Sequence, residues 1–64
     1  MKAIVYFTKT LRSFKDEEVD METFSEFSDI GEAEDIAHSI KCGVFDSERE
    51  IFTFNRIEYV EEGT

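Results

Sequence analysis

Only one stretch of this chain repeats its apolar residues at a helical period, and this limits the fold to strands gathered around a single helix. In residues 29–43, DIGEAEDIAHSIKCG, successive side chains of a helix lie about 100° apart. Ile30, Ala33, Ile36, Ala37 and Ile40 then fall within one arc of roughly 120°, while Glu34, Asp35, His38 and Cys42 point the other way. Both ends are marked. Asp29 followed by Glu32 reads as an N-cap with a capping box, and Gly43 can adopt the left-handed conformation that stops a helix.

The rest reads as strand and turn. Residues 3–14 are rich in β-branched and aromatic side chains, as a strand with two partly apolar faces would be. Lys15-Asp16-Glu17-Glu18 is a polar turn, and residues 19–27 alternate Val19, Met21 and Thr23 against Asp20, Glu22 and Glu26. The expected hairpin sets Lys15 opposite Val19, Phe7 opposite Phe27, Leu11 opposite Thr23 and Arg12 opposite Glu22, matching apolar with apolar and base with acid. After the helix, Asp46-Ser47-Glu48-Arg49 is turn-like. Residues 50–54 and 57–61 read as two more strands joined at Asn55-Arg56, because Asn tolerates the positive φ of a two-residue turn. That arrangement gathers Phe52, Phe54, Ile57 and Tyr59 on one face, toward the helix. Glu62-Gly63-Thr64 is expected to fray.

The predicted fold is α+β, a single ββαββ domain over residues 1–64, with a four-stranded, mainly antiparallel sheet and one helix packed on one face. One helix covers one sheet face. Ile4, Tyr6, Phe14, Phe24, Ile51 and Val60 are left on the other, a set that calls for cover by a partner or a second copy.

At 64 residues with 41% hydrophobic side chains, the chain is too apolar for disorder and close to the size at which a core alone suffices. A single cysteine rules out an internal disulfide and points to a reducing cytoplasm. No apolar run reaches the length of a membrane span, and the opening MKAIVYF lacks the features of a secretory signal. The net charge is -9 and unevenly spread. Residues 1–15 carry the four bases Lys2, Lys9, Arg12 and Lys15 and no acid, whereas residues 16–35 carry ten acids and no base. Such a field repels nucleic acid and anionic membrane and attracts basic surfaces.

Candidate chemistry is sparse. His38 and Cys42 stand four apart on the helix, a spacing two metal ligands or a Cys–His pair could use. Zinc needs further ligands, however, and a thiol at a helix C-terminus meets the negative end of the dipole. The run 16–20 lacks the spacing and central glycine of a calcium loop, and the three glycines form no phosphate-binding pattern. No acid pair has an apolar surround or a third orienting group, so the expectation is a chain that is not an enzyme and needs no cofactor or metal.

The acids are the unusual signal. Asp20, Glu22, Glu26, Glu32, Glu34 and Asp35 are expected to form one anionic ridge along the second strand, the following loop and the helix. A basic protein that handles nucleic acid could accept that ridge where it normally takes phosphates, since Lys and Arg bind both groups alike. Tyr6, Phe24 and Tyr59 are the expected anchors, supplying affinity while charge sets partner choice. In size and charge, though in no motif, the chain is similar to small phage or mobile-element inhibitors, nucleic-acid mimics among them. The competing expectation is a self-associating structural or regulatory module, a homodimer joined through the uncovered sheet face, with the acids serving solubility.

Overall fold

A computed structural model describes residues 1–61. The order of elements is β1 (Lys2–Arg12), β2 (Glu18–Phe27), α1 (Ile30–Lys41) and β3 (Glu50–Val60). The strands form one antiparallel sheet in the order β2-β1-β3, with α1 packed on one face. The architecture is α+β as expected, but the sheet has three strands rather than four. The expected fraying of residues 62–64 lies outside the described residues.

The missing turn explains the missing strand. Asn55-Arg56 does not reverse the chain; β3 runs straight through it, and the pairing with β1 slips by one residue there, from Val5–Ile57 and Tyr6–Arg56 to Phe7–Phe54. Asn55 is the extra residue of a β-bulge, and its side-chain Nδ2 donates to Thr8 Oγ1 at 2.9 Å. Side chains on a strand alternate between faces, so Phe54 and Ile57, an odd number apart, would otherwise lie on opposite sides. The bulge restores them to one face. A two-residue turn would have done the same, which is why the apolar pattern fits either reading.

The β1–β2 hairpin also closes earlier than the pattern suggests. Arg12 pairs with Glu18, Leu11 with Val19, Phe7 with Thr23 and Ala3 with Phe27, instead of Arg12 with Glu22, Leu11 with Thr23 and Phe7 with Phe27. Ser13 is the reason. Its hydroxyl accepts from the N–H groups of Lys15 and Glu17, its N–H donates to the Glu17 carbonyl, and Asp16 takes a left-handed φ of 60° that aspartate tolerates. The slip is an even number of residues, so every side chain keeps its face while changing its neighbour. Phe14 is drawn into the turn, 85% exposed, with the Arg49 guanidinium 3.7 Å above its ring.

The helix starts and stops where its sequence says. Asp29 caps it, accepting from the Gly31 N–H at 2.9 Å rather than from the Glu32 N–H that a capping box uses. At the other end Gly43 has φ 78°, its N–H donates to the Ile40 carbonyl, and the Val44 N–H reaches back to Ser39. That pair of bonds is a Schellman motif.

Ala3, Val5, Ala33, Ala37 and Ile40 are the fully buried residues, with Phe7, Phe27, Ile30, Ile36, Phe52, Phe54 and Ile57 packed around them. Phe52, Phe54 and Ile57 thus meet the helix as expected; Tyr59, in register with Ala3, shares their face but stays 48% exposed. Three of the five buried side chains are alanines, so the centre is thin. A helix of 12 residues spans about 18 Å, whereas strands of 11 residues span about 36 Å. The helix therefore roofs one half of the ribbon. The molecule measures 50 × 19 × 13 Å, and its radius of gyration of 13.5 Å exceeds the roughly 11 Å of a compact chain this long.

Candidate binding face

Register and alternation assign every strand residue to a face. Ala3, Val5 and Phe7 point toward α1, so Ile4, Tyr6, Thr8, Thr10 and Arg12 point the other way, together with their partners on the flanking strands. On β2 these partners are Glu26, Phe24, Glu22, Asp20 and Glu18; on β3 they include Ile51, Arg56 and Glu58. The open face thus carries a row of four carboxylates, spaced about 7 Å apart along one strand where successive, and interrupted only by Phe24.

The centre of this face is aromatic. The rings of Tyr6 and Phe24 lie 5.9 Å apart, tilted by 43°, and Phe24 is 57% exposed. The Arg56 guanidinium stacks 3.9 Å above the Tyr6 ring and its Nε donates to Glu58 at 3.2 Å. Hydrogen bonding to the Glu58 carboxylate raises the pKa of the Tyr6 hydroxyl above its usual value, and the same contact, aided by Arg56, lowers that of Glu58. Tyr6, Glu22, Phe24, Asn55 and Arg56 line a shallow depression of about 360 Å³, open to solvent. Arg56, Asn55 and Glu58 were not legible as members of this group, because their placement depends on the bulge.

The bases near the row are engaged. Arg12 donates to Glu18 at 2.9 Å and Lys2 lies 3.7 Å from Glu26, while Asp20 accepts from Thr10 Oγ1 at 2.8 Å. Elsewhere Lys9 pairs with Glu50 at 4.0 Å, and Lys41 sits 4.5 Å above the Phe54 ring. With its bases held this way, the chain's excess of acid over base is left facing solvent.

The six acids expected in one ridge do not share a flank. Asp20, Glu22 and Glu26 project from the open face, while Glu32, Glu34 and Asp35 stand exposed on α1, across the sheet from them. The anchors divide likewise: Tyr6 and Phe24 accompany the strand acids, and Tyr59 lies on the helix side near Glu34, His38 and Lys41. Strand alternation forces the split, since an acid in register with Thr8 or Thr10 cannot also face α1. Of the apolar residues expected on the open face, Phe24 and Ile51 are exposed, Ile4, Tyr6 and Val60 are half-buried, and Phe14 has left the sheet for the turn.

On α1, Cys42 Sγ and His38 Nε2 are 3.5 Å apart and exposed, and Cys42 serves as the helix C-cap. Among the described residues no three His, Cys, Asp or Glu side chains are grouped to hold a metal ion, and no helix is long and apolar enough to cross a membrane. No protein-family model matches the chain, and comparisons with curated proteins and with solved structures found no match.

Proposed function

We propose that the protein is a small acidic binding module that works without catalysis, docking its open sheet face on a basic protein surface of the kind that takes nucleic acid. The reading is supported chiefly by one observation: Glu18, Asp20, Glu22 and Glu26 lie on a single face of β2, with the exposed Phe24 among them and Tyr6 at its side. Regularly spaced carboxylates present a Lys- or Arg-lined cleft with the contacts it makes to phosphates. An aromatic pair within the row supplies what charge alone does not, a desolvated centre that holds the complex once formed. Occupying such a cleft blocks nucleic acid by competition, the behaviour of an inhibitor such as a phage or mobile element would encode. The helix acids Glu32, Glu34 and Asp35 contribute to the long-range field rather than to the contact.

The immobilised protein should retain basic nucleic-acid-binding proteins from a nuclease-treated lysate, release them as salt shortens the Debye length from about 10 Å at 0.1 M to about 3 Å at 1 M, and lose them to added DNA or RNA. Retention indifferent to salt and to nucleic acid would refute the reading. A second reading, self-association, is favoured by exposed apolar residues that lie not on the open face where a homodimer was expected but on the helix side of the sheet, beyond the end of α1: Val19 and Met21 are 56% and 43% exposed, and Phe45 44%. Sedimentation over a wide concentration range separates the two.

A further inference from the structure

β2 is an edge strand, and the only usual obstruction it carries is charge, in Glu18, Asp20, Glu22 and Glu26. Its 10 residues pair with β1 without a bulge, so its outer side presents an unbroken row of peptide groups. The helix does not cover it, since β2 contributes only Phe27 to the packing around the core. Among the described residues no backbone hydrogen bond outside the β1–β2 ladder reaches residues 18–27. Edges are commonly blunted by charged side chains, Lys above all, by Pro or by a bulge, and charge repels a like-charged strand while admitting one of opposite sign. β2 holds no Lys and no Pro; the bulge at Asn55 is on the opposite edge strand.

What β2 does carry selects its occupant. Pairing with the β2 of a second copy is opposed by charge, because each antiparallel alignment that keeps like faces together sets acid against acid. A two-fold axis at Glu22 brings Glu18 onto Glu26, one at Met21 brings Asp20 onto Glu22, and one at Thr23 brings Asp20 onto Glu26. A strand with bases at alternate positions meets no such repulsion, though at Glu18 and Glu26 its bases would share or displace the contacts of Arg12 and Lys2. Its Lys or Arg side chains would lie beside Glu18, Asp20, Glu22 and Glu26 on the open face, and its intervening apolar side chains beside Val19 and Met21 on the other.

We propose that β2 captures an extended basic segment of its partner as a fourth strand, one alternating Lys or Arg with apolar residues, by β-strand addition. The inference rests on the reading of the chain as a binder of basic surfaces and specifies how the contact is made. Backbone hydrogen bonds give the complex its strength, and the carboxylate row fixes which face the bases take.

The test uses the full chain, isotopically labelled, titrated with a ten-residue peptide alternating Lys with Val and Thr. Controls are a peptide of the same composition with its lysines in one block, and the alternating peptide N-methylated on the amides of one edge. The alternating peptide should slow hydrogen exchange at alternate amides of residues 18–27, and each control should bind about tenfold more weakly or worse. Equal binding by the blocked or N-methylated peptide, or binding without protection in β2, overturns strand addition while leaving an electrostatic binder standing. So does failure of every peptide when basic proteins are still retained in the salt-sensitive capture described above. If neither peptides nor basic proteins bind, both proposals fall.

Discussion

The two halves of this ribbon are built from similar residues and held very differently. In the roofed half, Val5 and Ala3 lie under Ala33, Ala37 and Ile40 and are wholly removed from water. In the bare half, Val19 and Met21 occupy the same sheet face and remain about half exposed, because α1 is too short to reach them. Apolar alternation therefore places a side chain on a face, but only a second layer makes that face a core. The roofed half holds the chain folded, and the bare half leaves Val19 and Met21 open to solvent.

Substitutions can break this contrast or sharpen it. The largest effect should come from Ile40→Ala, which empties the tightest part of the roofed half at a cost of about 2–5 kcal/mol, enough to leave a domain this small largely unfolded in a urea titration. Gly43→Ala should follow at about 1–2 kcal/mol, the cost of a left-handed residue with a side chain. Its added Cβ would also stand 3.2 Å from an Asp46 carboxylate oxygen. Asp29→Ala removes the N-cap and should cost about 1 kcal/mol, read from the same midpoint shift. Met21→Thr in the bare half should move stability by no more than about 0.5 kcal/mol; a loss as large as that of Ile40→Ala would show that the two halves are packed alike. The smallest expected effect is one of pH. Glu58 is more acidic folded than unfolded, so its contribution is present above pH 4.5 and lost as pH falls through the lower folded value. An NMR titration should place its midpoint below 4.5, and Tyr6→Phe should raise it.

How much of this was legible follows from which forces act locally. The helix, its Asp29 cap and its Gly43 stop are decided by residues within a turn of one another, and the sequence carried them. The faces of β1 and β2 were legible too, because alternation survives an even slip in register, and those of β3 because a one-residue bulge and a two-residue turn give the same alternation. What sequence did not reveal was the choice among alternatives with the same pattern. Ser13 closed the hairpin ahead of the apolar signal, and Asn55 satisfied the alternation by bulging rather than turning. The dispersal of the acids had the same origin: Glu22 and Glu34 are twelve residues apart in one anionic run, but strand alternation and a helix packed across the sheet put them on opposite sides.

The bulge at Asn55 has a consequence for how this chain can vary. Deleting that one residue would leave Phe54 and Ile57 an even number apart, so a regular strand would keep Ile57 and Tyr59 toward the helix and Arg56 and Glu58 on the open face. Exchanging its side chain would forfeit a single bond to Thr8. Related chains can thus lose residue 55 and straighten the strand, whereas one residue added or removed elsewhere in β3 would turn its apolar side chains to the wrong face unless a second bulge absorbed it.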